Sequence, residues 1–127
     1  MPSPAPYPFW AEQTGGHLFE GGFSFGRLGD ESFQWPGLPA ILNGRRIVAS
    51  GVGTIPKDTR AHDGESHRHL QAEVFVISRG RVYVPECTDS PLVGPGEWIF
   101  VPPDVEHHLT TPIDSDCTAL WMLLENQ

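Results

Sequence analysis

His67-Arg68-His69-Leu70-Gln71-Ala72-Glu73, continuing through Val74-Phe75-Val76-Ile77-Ser78-Arg79-Gly80, is the stretch that decides the fold. Residues 72–78 are β-branched and aromatic, which predicts a strand. Arg79-Gly80 predicts a tight turn, after which 81–86 returns as the next strand. On a strand, side chains two apart point the same way, so His67 and His69 share a face. Glu73 has the same parity four residues on. Two imidazoles and a carboxylate therefore converge on one locus, a donor set that suits a borderline divalent metal. A solvated strand edge can carry the same three residues, so a fourth donor elsewhere has to decide between the two.

That donor comes from the stretch Gly94 to His107. Gly96 sets a turn, 97–101 reads as a strand, Pro102-Pro103 break it, and His107 opens the next one over 107–112. His108 faces the other way, and would take the place of His107 if the register were shifted by one.

Outward from this centre the same rhythm continues. Residues 45–55 and 117–124 read as strands bounded by turn residues. No segment shows a 3.6-residue apolar stripe with a capping box, so the last run is a closing strand rather than a helix. Many short strands at this spacing predict an all-β sandwich, barrel or jelly roll. Upstream, Pro2, Pro4, Pro6 and Pro8 make the first ten residues extended. Residues 15–39 mix Gly pairs with Phe19, Phe23, Phe25, Phe33 and Trp35, too many rings to leave in water. The expected organisation is an N-terminal arm with short strands, 1–42, and a barrel, 43–127. The arm covers either its own barrel or that of a second copy, and a homodimer is expected.

The 127 residues suffice for one domain and one core. Apolar residues at 39% and charged residues at 19% fit a soluble globular chain, not a disordered one. The net charge is −8, and no Lys or Arg follows Arg81, while acidic residues run from Glu86 to Glu125. Such a surface repels phosphate backbones and anionic headgroups, so neither nucleic acid nor a membrane surface is an expected partner. No run approaches the ~20 apolar residues of a membrane span, and the start lacks the basic and apolar regions of a secretory signal. The expected location is the cytoplasm, with Cys87 and Cys117 as reduced thiols.

His67-x-His69-x3-Glu73-x6-Gly80 matches the first motif of the cupin family, and Gly96-x5-Pro102-x-Asp104-x2-His107 resembles its second. The match spans about 67–107. Three positions depart from the family pattern: Ala61 and Asp104 stand where Gly is usual, and Thr111 where Asn is. These positions shape turns, and Asp tolerates the left-handed backbone Gly would adopt. The resemblance implies a cupin jelly-roll barrel (double-stranded β-helix) in a single domain, with His67, His69, Glu73 and His107 as ligands of one divalent transition metal ion. Fe, Mn, Ni, Zn and Cu all tolerate that set. Glu73 doubles as a candidate catalytic base.

A 2-oxoglutarate oxygenase would need H-x-D or H-x-E and a basic residue for the cosubstrate, and a zinc finger would need other cysteine spacing. Candidate lumen positions Phe75, Ile77, Leu109 and Thr111 are mostly apolar, with no basic cluster to hold a phosphate or dicarboxylate. The expected substrate is a small oxygen-bearing aromatic, enol or polyketide-like molecule. The resemblance leaves three activities open: a quercetinase-like dioxygenase, the leading reading; a redox-neutral cyclase or isomerase similar to cupin polyketide cyclases; and a non-catalytic metal- or ligand-binding module. Of the remaining residues, His62 reads as surface or pocket rim, and His17 has no partner in sequence. Tyr83, Trp98, Phe100 and Trp121 read as core or pocket wall, and Cys117 as a buried thiol.

Overall fold

A computed structural model describes residues 17–18, 23–27 and 45–126. Among these residues six strands form one antiparallel sheet: β1 (His17–Leu18), β2 (Ser24–Arg27), β3 (Ile47–Ile55), β4 (Glu73–Gly80), β5 (Glu97–Val101) and β6 (Cys117–Leu124). Their order across the sheet is β1-β2-β5-β4-β6-β3. No helix occurs among the described residues, so none there is long and apolar enough to cross a membrane. The chain is all-β, as its turn-rich run of short apolar segments predicts.

The period-two alternation of β4 divides the apolar residues between the two faces of the sheet. Phe75 and Ile77 point inward with Ile99, Val101, Cys117 and Ala119. Val74 points outward with Trp98, Phe100, Met122 and Leu124. Both faces are apolar because both are covered: Val74, Trp98 and Leu124 are 0% exposed. Burying side chains of this size contributes about 1.5–3 kcal/mol each.

A second layer faces the inner side of the sheet. It is built from extended segments tied by backbone hydrogen bonds rather than by long ladders. Tyr83 and Thr110 exchange N–H···O bonds of 2.9 Å, and Val82 and Val93 do so at 2.9 and 2.7 Å. Residues 81–86 and 107–112, expected to be strands, are reduced here to isolated bridges at Val82, Tyr83 and Thr110. Pro85 and Pro112 lack the N–H that a ladder needs, which shortens both segments.

The expected turn after β4 falls at its last residue, Gly80. Its φ is +79°, and a Cβ there would lie 1.8 Å from the Asp116 carbonyl oxygen. Only glycine fits, because β6 approaches so closely at this point.

Two short pieces of the N-terminal arm are described. β2 pairs with β5 of the same chain, with Phe25 opposite Ile99, and Phe23 and Phe25 enter this chain's own inner core. For these residues the arm covers its own barrel. The rest of 1–42, with the domain boundary at 42–43 and the homodimer contact expected of the arm, lies outside the described residues.

Candidate metal centre

Sequence parity places His67 and His69 on a strand with Glu73. In the structure they precede the strand, on an extended segment, and Glu73 is the first residue of β4. They converge all the same, because backbone bonds tie their segment to the one that carries His107. His107 N–H donates to the His67 carbonyl at 3.0 Å, and Asp104 N–H to the His69 carbonyl at 2.7 Å. Asp104 occupies the left-handed region, φ 59°, where the family pattern has Gly. That conformation completes the turn after Pro102-Pro103 and delivers His107 to the site.

One donor atom from each of His67, His69, Glu73 and His107 can be chosen so that all lie within 4.8 Å of one another. Glu73 Oε1 is 3.1 Å from His69 Nε2 and 3.0 Å from His107 Nε2. His107 Nδ1 is 2.8 Å from the Val105 carbonyl, which can only accept, so Nδ1 carries the proton. His69 Nδ1 faces the Gln71 carbonyl in the same way at a longer 3.4 Å. In the neutral rings both Nε2 atoms then direct lone pairs at a carboxylate that also has only lone pairs to offer. A cation at their common point resolves that conflict, and backbone acceptors on the outer nitrogens are how protein metal sites fix the tautomer of a ligating imidazole. Burial, together with the neighbouring His107 and His62 rings, pushes His67 down to about 4, so this ring is neutral and able to ligate at pH 7. The four residues fit a divalent metal ion.

The quartet sits against a cavity of about 500 Å³. Phe75, Leu109, Ala119, Trp121 and Leu123 make its wall apolar, and no Lys or Arg among the described residues lines it. Two of the expected lumen positions, Phe75 and Leu109, are in that wall. The other two are not: Ile77 lies in the inner core, and Thr111 spends its hydroxyl on the Pro56 carbonyl at 2.6 Å. Much of the wall comes from β3 and β6, whose pairing sets Gly51 opposite Trp121 and Gly53 opposite Ala119. A Cβ on Gly51 would come within 2.8 Å of the Trp121 indole, so this glycine is what lets the ring lie where it does.

No protein-family model matches the chain, and no curated protein matches its sequence. Solved structures match its fold. An RmlC-like cupin from Shewanella frigidimarina NCIMB 400 aligns over 91% of this chain and 87% of its own, at 19% identity and a TM-score of 0.51. A predicted oxalate decarboxylase from Thermotoga maritima aligns over 82% of this chain and 81% of its own, at 14% identity and 0.52. The polyketide cyclase RemF from Streptomyces resistomycificus aligns over 80% of this chain, at 18% identity and 0.52, and this chain spans 64% of the cyclase's length. The same 64% holds for a cupin protein from Bacteroides fragilis.

The chain folds as a cupin.

Beside the quartet, the chain carries a second polar cluster around His108. His108 Nε2 donates to the Glu65 carbonyl at 2.8 Å, and its Nδ1 contacts Glu86 Oε2. Glu86 Oε1 also accepts the His108 backbone N–H at 3.0 Å, and Arg60 Nη2 reaches Glu86 Oε2 at 2.9 Å. Burial alone would push the His108 ring down, but the Glu65 carbonyl and the Glu86 carboxylate hold it above its ordinary value. Burial alone would likewise raise Glu86, yet its bonds from His108 and Arg60 keep it below the usual carboxylate range. Glu106 bonds Ser66 Oγ at 2.9 Å and the His67 N–H at 3.3 Å, contacts that hold its carboxyl low. Both clusters thus clamp the segment that leads into His67.

Glu86 is a residue that sequence reading misses, since nothing in its spacing from Glu73 or His107 points to His108. His62 lines the cavity, in agreement with a rim position, and Trp121 is a wall residue. Trp98 and Phe100 belong to the outer cluster, and Tyr83 bridges Thr110 in the second layer. Cys117 packs in the inner core, where burial and Asp116 push its thiol up to about 11, and it forms no disulfide among the described residues. His17 pairs with Phe25 between β1 and β2.

Proposed function

We propose that this cupin is a metal-dependent enzyme, a dioxygenase for a small uncharged substrate that presents two adjacent oxygen atoms on an aromatic or enol skeleton. The observation that carries the reading is the quartet of donors, open to an apolar cavity of about 500 Å³ with no cationic side chain in its wall among the described residues. Three imidazoles and one carboxylate leave positions free on a six-coordinate ion. A divalent ion held there would act as a Lewis acid toward the substrate oxygens and, if redox-active, as an electron relay to dioxygen.

The chain's own residues supply the rest. Among the described residues, Glu73 is the sole carboxylate that lines the cavity, and its oxygen can take the proton that a catechol or enol hydroxyl gives up on binding. Phe75, Leu109 and Trp121 exclude water and hold a flat skeleton by apolar contact. The lack of Lys or Arg in the wall favours a neutral skeleton over a phosphate or dicarboxylate.

A redox-neutral cyclisation or isomerisation is the second reading, favoured by the fold match to the polyketide cyclase. One experiment separates the two: metal analysis of tag-free protein, then oxygen uptake by iron-loaded and zinc-loaded protein with catechols and enols. Uptake that requires iron and substrate supports the dioxygenase. Zinc in the purified protein, no uptake and a rearranged product overturn it in favour of the cyclase or isomerase.

A further inference from the structure

Resting on the reading that a two-oxygen chelator fills the cavity, we propose that His62 is a substrate-contacting residue that selects for a third polar group. In this assignment its imidazole hydrogen-bonds a substituent on the part of the substrate that lies away from the quartet.

Outside the quartet, the polar side chains among the described residues that line the cavity are Thr54, His62 and the indole of Trp121. The Thr54 hydroxyl is already engaged with Thr118 Oγ1 at 3.1 Å. The His62 ring makes no hydrogen bond among the described residues, so both its nitrogens remain for a ligand. The ring is nevertheless held in place. It stacks on His67, with centroids 4.1 Å apart and planes 11° from parallel. The turn beneath it is tied on both sides: Ala61 N–H to the Leu109 carbonyl at 2.9 Å, Asp63 N–H to the Arg60 carbonyl at 3.2 Å, and Glu65 N–H to the His62 carbonyl at 3.1 Å. Arg60 is in turn bound to Glu86.

His62 itself has a φ of 57°, a conformation uncommon for a residue with a side chain and one that structures retain where they hold a functional group in place. A ring stacked on a half-buried ligand, with unused donor and acceptor atoms at a cavity mouth, is a pre-organised contact: little side-chain freedom remains to be lost when a substrate binds.

Two chelating probes test this. Catechol offers two adjacent oxygens, and 4-nitrocatechol adds a third polar group. Binding of each to iron-loaded protein is followed by absorbance, for wild type, His62→Phe and His62→Asn. Phenylalanine keeps an aromatic ring for the stack but cannot hydrogen-bond. Asparagine accepts the left-handed backbone but is too short to replace the imidazole. Bound iron, measured on the same samples, should be equal in all three. Both variants should bind 4-nitrocatechol roughly fivefold to tenfold more weakly, the worth of one hydrogen bond, and catechol as wild type does. Unchanged affinity for both probes, or equal weakening of both, would overturn the assignment, the latter because it marks a purely structural ring. Wild type that binds neither probe would overturn the two-oxygen substrate, and this inference with it.

Discussion

His107 and His108 are neighbours in the chain and nearly equally buried, 1% and 2% exposed, yet the clusters they join are built on opposite rules. Around His108 every charge is met within the protein. Both ring nitrogens have oxygen acceptors, and Glu86 is shared between the ring, the His108 amide and Arg60. Around His107 the outer nitrogen is satisfied by Val105, while the inner one faces a carboxylate and two further imidazoles across a common point. One cluster is complete and closed, and it serves as a brace. The other is complete only with a cation and opens on a cavity, and it serves as a site. A one-residue step along an extended segment is enough to divide the two roles, because it reverses the face.

If that division holds, the two carboxylates respond in opposite ways to neutral replacement in the metal-free protein. Glu86→Leu leaves the buried His108 ring and amide without their acceptor and Arg60 without its partner, and should lower unfolding free energy by about 3 kcal/mol in urea titrations. Glu73→Gln should be neutral to stabilising, since it replaces a carboxylate that faces lone pairs with an amide able to donate to one of them. A Glu73→Gln protein as destabilised as Glu86→Leu would erase the distinction. A smaller effect is expected in the wall. Gly51→Ala should displace the Trp121 indole, cost about 1–3 kcal/mol from overpacking, and weaken catechol binding by narrowing the cavity. An alanine variant with wild-type stability and binding would remove Gly51 from the account of the wall.

In pH dependence, His67 and His108 carry opposite signs. His67 is lowered in the folded chain, from an ordinary 6.5 to about 4. Between these values the unfolded chain takes up a proton that the folded one refuses, so metal-free stability falls as pH drops through that window. His108 is raised, so its contribution is full below 6.5 and is lost as pH climbs through its folded value. His67→Ala should flatten the acid side of the stability curve alone. A variant whose curve loses its alkaline side instead would reverse the assignment.

The grouping of His67, His69, Glu73 and His107 was legible through the local spacing of the two motifs, with Asp104 tolerated in the left-handed region, although the strand parity expected of His67 and His69 does not hold, since both precede β4. The fold was legible for the same reason, through alternation in β4 and the uninterrupted apolar run of β6. What was not legible depends on contacts between distant segments. The cavity wall is set by the register of β3 on β6, which no local pattern encodes, so Gly51 and Gly53 carry no signal until Trp121 and Ala119 stand opposite them. Glu86 reaches His108 across 22 residues of chain. The second layer was overcalled as strand because composition reports β-propensity, while the prolines within it interrupt the ladder.

The central claim is that His67, His69, Glu73 and His107 hold one divalent ion while the neighbouring histidines do not. Elemental analysis of tag-free protein, reloaded with metal and desalted, tests it directly. The account predicts one ion per chain in wild type, His17→Ala and His62→Asn, and loss of most of it in His67→Ala, His69→Ala and His107→Ala. Equal metal content in all six proteins would contradict it.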